Sequence, residues 1–101
     1  MTSIDLALNN QDDLELILTV LKREKELFEW EIQKIEEKMD KFEQDHSMTS
    51  EEFYQQYSRG DLGDAEVFMI WAGEYEFLQK FYAKKERLTD LIKECQRHIL
   101  Q

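Results

Sequence analysis

Leu14, Leu18, Leu21, Lys25, Phe28, Ile32, Ile35, Met39, Phe42 and His46 follow one another at alternating steps of four and three residues. Val67, Trp71, Glu74, Leu78, Phe81, Lys85, Leu88, Ile92, Cys95 and Ile99 repeat the pattern. This spacing returns side chains to one face of an α-helix, and it is incompatible with the period of two that a strand requires. Two such seams predict two long helices that bury them against each other. With no Pro and three Gly in 101 residues, little interrupts either run.

The boundaries carry their own signals. Asn10-Gln11-Asp12-Asp13 has the form of a capping box with acids in the first helical turn, so a helix is predicted over about 11–45. Thr49-Ser50-Glu51-Glu52 opens a short helix over 50–58 whose Phe53, Tyr54 and Tyr57 give it an aromatic face. A third helix is predicted over 65–99, with Asp64 as its N-cap. Before the first helix, Ile4, Leu6 and Leu8 alternate with Asp5 and Ala7, marking residues 1–10 as a flexible or extended arm. Residues 11–101 then make one helical hairpin domain. Between the second and third helices the chain reads Ser58-Arg59-Gly60-Asp61-Leu62-Gly63-Asp64, which contains the tripeptide that extracellular ligands present to integrins. Gly60 stands where a left-handed helix cap belongs, so Arg59-Gly60-Asp61 is read as punctuation between helices.

Pairing the long helices antiparallel matches the seams layer for layer: 42 with 67, 39 with 71, 35 with 74, 32 with 78, 28 with 81, and so on to 11 with 99. One layer sets Lys25 against Lys85, and two like charges in a dry layer are costly. Either both stems carry their ammonium groups outward, or the pairing slips by a heptad, or an acid from another chain neutralises them; lysine is the side chain best built for the first.

A hairpin buries one face of each helix, yet these helices are apolar on more than one. Leu16, Val20, Leu27 and Trp30 form a second stripe opposite the first seam, with Arg23 in the gap, and Phe68, Ile70, Ala72, Tyr75, Phe77 and Tyr82 surround Trp71 on the third helix. Gly73 is unfavourable inside a helix unless another backbone passes close. Each large apolar side chain left in water forgoes roughly 1.5–3 kcal/mol. The predicted fold is therefore all-α, an antiparallel hairpin of two long helices with a short connecting helix, dimerising into a four-helix bundle. The predicted interface is Leu16, Val20, Leu27, Trp30, Phe68, Trp71, Tyr75 and Tyr82. The competing expectation is that the short helix and the N-terminal segment fold back over part of this surface.

The formal charge of −10 is unevenly placed: residues 36–66 hold ten acids against three bases, and residues 80–101 hold three acids against six bases. A direct nucleic-acid binder needs a clustered basic face, so a basic protein is the better partner. The first residues show neither the charged nor the apolar region of a signal peptide, one cysteine forms no internal disulfide, and no apolar run reaches the roughly 18 residues of a membrane span. The expectation is a cytoplasmic protein with no membrane contact.

Motifs with chemical meaning are incomplete. Glu43-x-x-His46 occurs once, where di-iron bundles need it twice with two further glutamates. Cys95 and His98, with Glu94 nearby, give half a metal site, and Cys95 lies on the seam as a small core residue. Glu36-Glu37-Lys38-Met39-Asp40 has the look of the acidic helix of all-α nucleotide pyrophosphohydrolases, but Asp61-Leu62-Gly63-Asp64 lies in a turn and supplies no facing carboxylates. No nucleophile set or phosphate loop is present. No catalytic, metal or cofactor site is expected, and the chain is not read as an enzyme.

Lys41-Phe42-Glu43, Met48-Thr49-Ser50-Glu51-Glu52-Phe53, Gly60-Asp61-Leu62-Gly63-Asp64 and Trp71 with Tyr75 together resemble a group of small helical prokaryotic proteins encoded beside putative ribonuclease toxins and regarded as antitoxin-like. The resemblance spans about residues 28–82. It implies a non-catalytic module that neutralises a basic partner, and it implies no catalytic residues. A purely structural homodimeric bundle of scaffold type is the alternative, and a small metal- or nucleotide-binding bundle enzyme is the third reading.

Overall fold

A computed structural model describes residues 10–100, except for the side chain of Leu100; the arm expected from Ile4, Leu6 and Leu8 lies outside the described residues. Three helices account for the fold: α1 (Gln11–His46), α2 (Ser50–Ser58) and α3 (Glu66–Leu100). The chain is an all-α hairpin of two long helices with a short one between them, and the described residues contain no strand. Two compact units share these helices: the first takes α1 up to Glu29 and α3 from Ala83 onward, the second takes residues Trp30–Tyr82.

The caps follow the sequence closely. The Asn10 side chain accepts from the Asp13 amide at 3.2 Å and Thr49 Oγ1 accepts from the Glu52 amide at 3.1 Å, each quenching an orphan N–H of a first turn. Gly60 and Gly63 take φ of 82° and 79°, the left-handed region that suits glycine, and Arg59 Nε pairs with Asp61 Oδ2 at 3.2 Å. Arg59-Gly60-Asp61 is thus part of a helix stop. One detail differs from expectation. α3 starts at Glu66 and the Ala65 carbonyl accepts from the Phe68 and Met69 amides, so Asp64 is not its N-cap. Ser47, with φ 54°, closes α1 in a conformation usually left to glycine or asparagine.

In the first unit, Leu14, Ile92 and Cys95 are buried, and the Cys95 thiol donates to the Leu14 carbonyl at 3.3 Å. That contact lies in the expected antiparallel register. Leu18, Leu21, Lys25, Phe28, Lys85, Leu88 and Ile99 are half-buried. Among the described residues no buried side-chain nitrogen or oxygen lacks a partner, so Lys25 and Lys85 both sit in the seam without a stranded ammonium group, as outward-reaching stems require. Lys84 Nζ lies 5.9 Å from the Phe28 ring centroid, a cation over an aromatic face.

The second unit holds the larger core: Ile32, Ile35, Met39, Phe53, Trp71, Ala72 and Leu78, with Phe42, Phe68, Tyr75 and Phe81 packed against it. Trp71 stacks on Phe53 at 3.8 Å between centroids, on His46 at 5.3 Å and on Phe42 at 5.4 Å. α2 is responsible for the departure from simple layering here. Its Phe53 also packs on Phe68 at 5.6 Å, and Phe68 turns inward while the seam residue Val67 is left exposed. In place of the expected 42-with-67 layer, Trp71 stacks on Phe42 and Val67 is exposed.

Candidate interaction surfaces

The predicted interface residues separate into two groups. Leu16, Val20 and Leu27 in the first unit are 64%, 55% and 54% exposed, and Trp30 in the second is 69% exposed. Trp71 is 0% exposed, so its assignment to a docking face is corrected: it is the centre of the protomer's own core. Phe68 and Tyr75 are half-buried and largely covered by α2, Phe68 by Phe53 and Tyr75 by Tyr54, whose ring stacks on it at 4.8 Å. Of the four predicted on α3, Tyr82 alone is exposed, at 39%.

The burial of Trp71 depends on a short polar chain. Its Nε1 donates to Ser50 Oγ at 3.0 Å, and Ser50 Oγ donates in turn to Met39 Sδ at 3.4 Å. The Ser50 amide donates to Glu43 Oε2 at 2.7 Å, which fixes the first turn of α2 to α1. Glu43 is therefore a capping acid, while His46 stacks on Trp71, and the two do not converge as a metal pair. His98 is exposed while Cys95 is buried. Among the described residues no group of three or more His, Cys, Asp or Glu side chains is placed to hold a metal ion.

Beside this core lies a groove that the sequence reading did not assemble. Glu36, Asp40 and Glu43 of α1 and Glu51 of α2 line it together with Tyr75, Leu78 and Tyr82 of α3, and its lining includes no lysine or arginine. The available signal was the spacing of Glu36, Asp40 and Glu43 at i, i+4 and i+7, which sets three carboxylates on one side of α1. What spacing along α1 does not show is that Tyr75 and Tyr82 stand opposite. Tyr82 donates its hydroxyl to Glu36 Oε2 at 3.0 Å. Four carboxylates beside two phenol rings form a surface suited to cationic side chains, which gain both ion pairing and contact with an aromatic face.

Partial burial, then the hydrogen bond to Glu36 and the charge of that carboxylate, pushes the Tyr82 phenol up from 10.0 to about 12. The hydrogen bond to Glu76, at 2.6 Å, raises Tyr54 as well. A phenol harder to ionise in the folded chain supports the fold until the unfolded chain begins to lose its proton near pH 10. That support drains away as pH rises toward 12. Spectrophotometric titration of tyrosinate should show a phenol ionising near pH 12 in the folded protein, and Tyr82→Phe should remove it. A Tyr82→Phe protein that loses a phenol ionising near pH 10 and keeps the phase near pH 12 would contradict the Glu36 contact.

On the opposite flank of the second unit, Lys38 Nζ pairs with Glu74 Oε1 at 3.2 Å and Lys34 with Glu31 at 3.5 Å, near the exposed Phe77. Exposed pairs of this kind are worth roughly 0–1 kcal/mol each and leave the flank close to neutral. The second unit as a whole is strongly acidic: Trp30–Tyr82 contains thirteen acids and five bases, a net of −8.

No family model, curated protein or solved structure matches the chain. No helix among the described residues is long and apolar enough to cross a membrane.

Proposed function

We propose that this chain is a non-catalytic protein-interaction module that associates with itself and offers an acidic, aromatic groove to a basic protein, the role of the antitoxin-like proteins it resembles. The observation that carries the reading is the exposure of Leu16, Val20, Leu27 and Trp30, four large apolar side chains more than half open to solvent. Covering them on association recovers roughly 1.5–3 kcal/mol each, an incentive the protomer's own helices do not supply. A homodimeric four-helix bundle is the simplest closed assembly that does so. The groove of Glu36, Asp40, Glu43, Glu51, Tyr75 and Tyr82 supports the second half of the reading, since steering by opposite charge speeds the encounter with a basic surface.

Multi-angle light scattering tests the first half: the expected mass is twice 12.3 kDa at micromolar concentration, and a lone 12.3 kDa species across the whole concentration range overturns self-association. For the second half, a basic protein encoded beside this one should be retained by wild type and released by Asp40→Lys combined with Glu51→Lys. Equal retention by both forms would remove the groove from the account.

A further inference from the structure

Gly73 lies within α3, yet nothing in the chain requires a glycine there. It does not adopt a left-handed backbone, and beyond its chain neighbours and the adjoining backbone of its own helix, a Cβ built on it would meet no atom within 4 Å. Glycine weakens a helix interior relative to alanine, so the open space above Gly73 calls for an occupant from outside the protomer. At 3.6 residues per turn, Glu66, Met69, Ile70, Gly73, Phe77 and Lys80 share one side of α3, and Tyr75 and Tyr82 fall on the other. Met69, Ile70 and Phe77 are exposed, as are Glu66 and Lys80 at the two ends. Lys80 Nζ sits 5.8 Å from the Phe77 ring centroid.

The charges decide what fits. Glu66 precedes Gly73 by seven residues and Lys80 follows it by seven, so each stands about 10 Å along the axis from the glycine. Turn a second α3 end for end about Gly73 and each Glu66 meets the other copy's Lys80, while Met69 and Ile70 meet Phe77. Such a surface is complementary to itself, as an isologous contact demands. We propose that a second copy of this chain docks on this side of α3, the two α3 helices antiparallel and Gly73 at the two-fold axis. The inference takes from the self-association reading that the chain pairs with itself; it places the contact on α3 and not on the α1 stripe of Leu16, Val20, Leu27 and Trp30. It also leaves the acidic groove free, because the groove's Tyr75 and Tyr82 fall on the other side of α3.

Light scattering over a concentration series at low salt tests it, with far-UV circular dichroism confirming that each variant remains helical. Gly73→Leu fills the space meant for the partner helix and should weaken dimerisation on the order of tenfold or more. Glu66→Lys and Lys80→Glu should each weaken it roughly three- to tenfold by replacing attraction with repulsion at both ends. The doubly exchanged protein, Glu66→Lys with Lys80→Glu, should regain wild-type dimerisation, which no role confined to one protomer would produce. If the exchange fails to restore the dimer, the antiparallel register is wrong. If wild type dimerises but Gly73→Leu dimerises equally well and Leu27→Glu separates the copies, the contact lies on α1 and self-association survives without this surface. A wild type that is monomeric throughout overturns both.

Discussion

Trp71→Ala is expected to cost about 3–5 kcal/mol, the range for removing a buried tryptophan. The indole is fully buried, stacks on Phe53, Phe42 and His46, and anchors Ser50 through Nε1. Truncation leaves a cavity among rings drawn from α1 and α2 and removes the donor that holds the Ser50 hydroxyl in place. A small domain has only about 5–15 kcal/mol of stability in total, so the variant should unfold at a much lower urea concentration. Trp71→Phe separates the two contributions: it keeps most of the ring contact and loses the hydrogen bond, with an expected loss of about 1–3 kcal/mol. Circular dichroism during urea unfolding measures both. A loss below about 1 kcal/mol for Trp71→Ala would mean that Trp71 faces solvent or a partner, as its neighbours in the sequence suggest.

That contrast shows where periodicity informs and where it stops. The alternating spacing located the seams because a helix fixes the angle between residues, and nearly every seam position is buried or half-buried. Leu14 beside Cys95 follows directly from that register. Periodicity also identified Phe68, Trp71 and Tyr75 as apolar sides of α3 in excess of one partner helix. It did not say what covers them, because a nine-residue helix on short connections can dock on several sides of a hairpin. The answer lies in long-range contacts of α2: Phe53 with Trp71, Tyr54 with Tyr75, and Ser50 between Trp71 and Met39. The stripe of Leu16, Val20, Leu27 and Trp30 was read correctly as uncovered by its own hairpin, since on those positions the helical angle points away from the seam. The acidic groove eluded the sequence for the same reason as the docking of α2: its residues come from three elements, and each set looks like an ordinary solvated helix face when taken alone.

Phe53→Ala should produce an effect of similar size, about 3–5 kcal/mol, with a different distribution over the structure. α2 has nine residues, too few to hold a helix in water by propensity, and isolated helices below about 12 residues are marginal even in favourable sequences. The Thr49 cap and the Ser50–Glu43 contact secure its first turn, but Phe53 is its one fully buried large side chain. Without that ring, α2 loses the burial that offsets its ordering entropy, and Trp71 loses the face it stacks on at 3.8 Å and 5°. Native-state hydrogen exchange should therefore show the amides of residues 53–60 losing protection to a greater degree than those of the α1 seam around Ile32. The double variant with Trp71→Ala should be less destabilised than the two single losses predict, with a coupling of about 0.5–1.5 kcal/mol for the lost stack. Strict additivity would place the two rings in independent packing environments, and unchanged protection of α2 would show that its caps alone hold it.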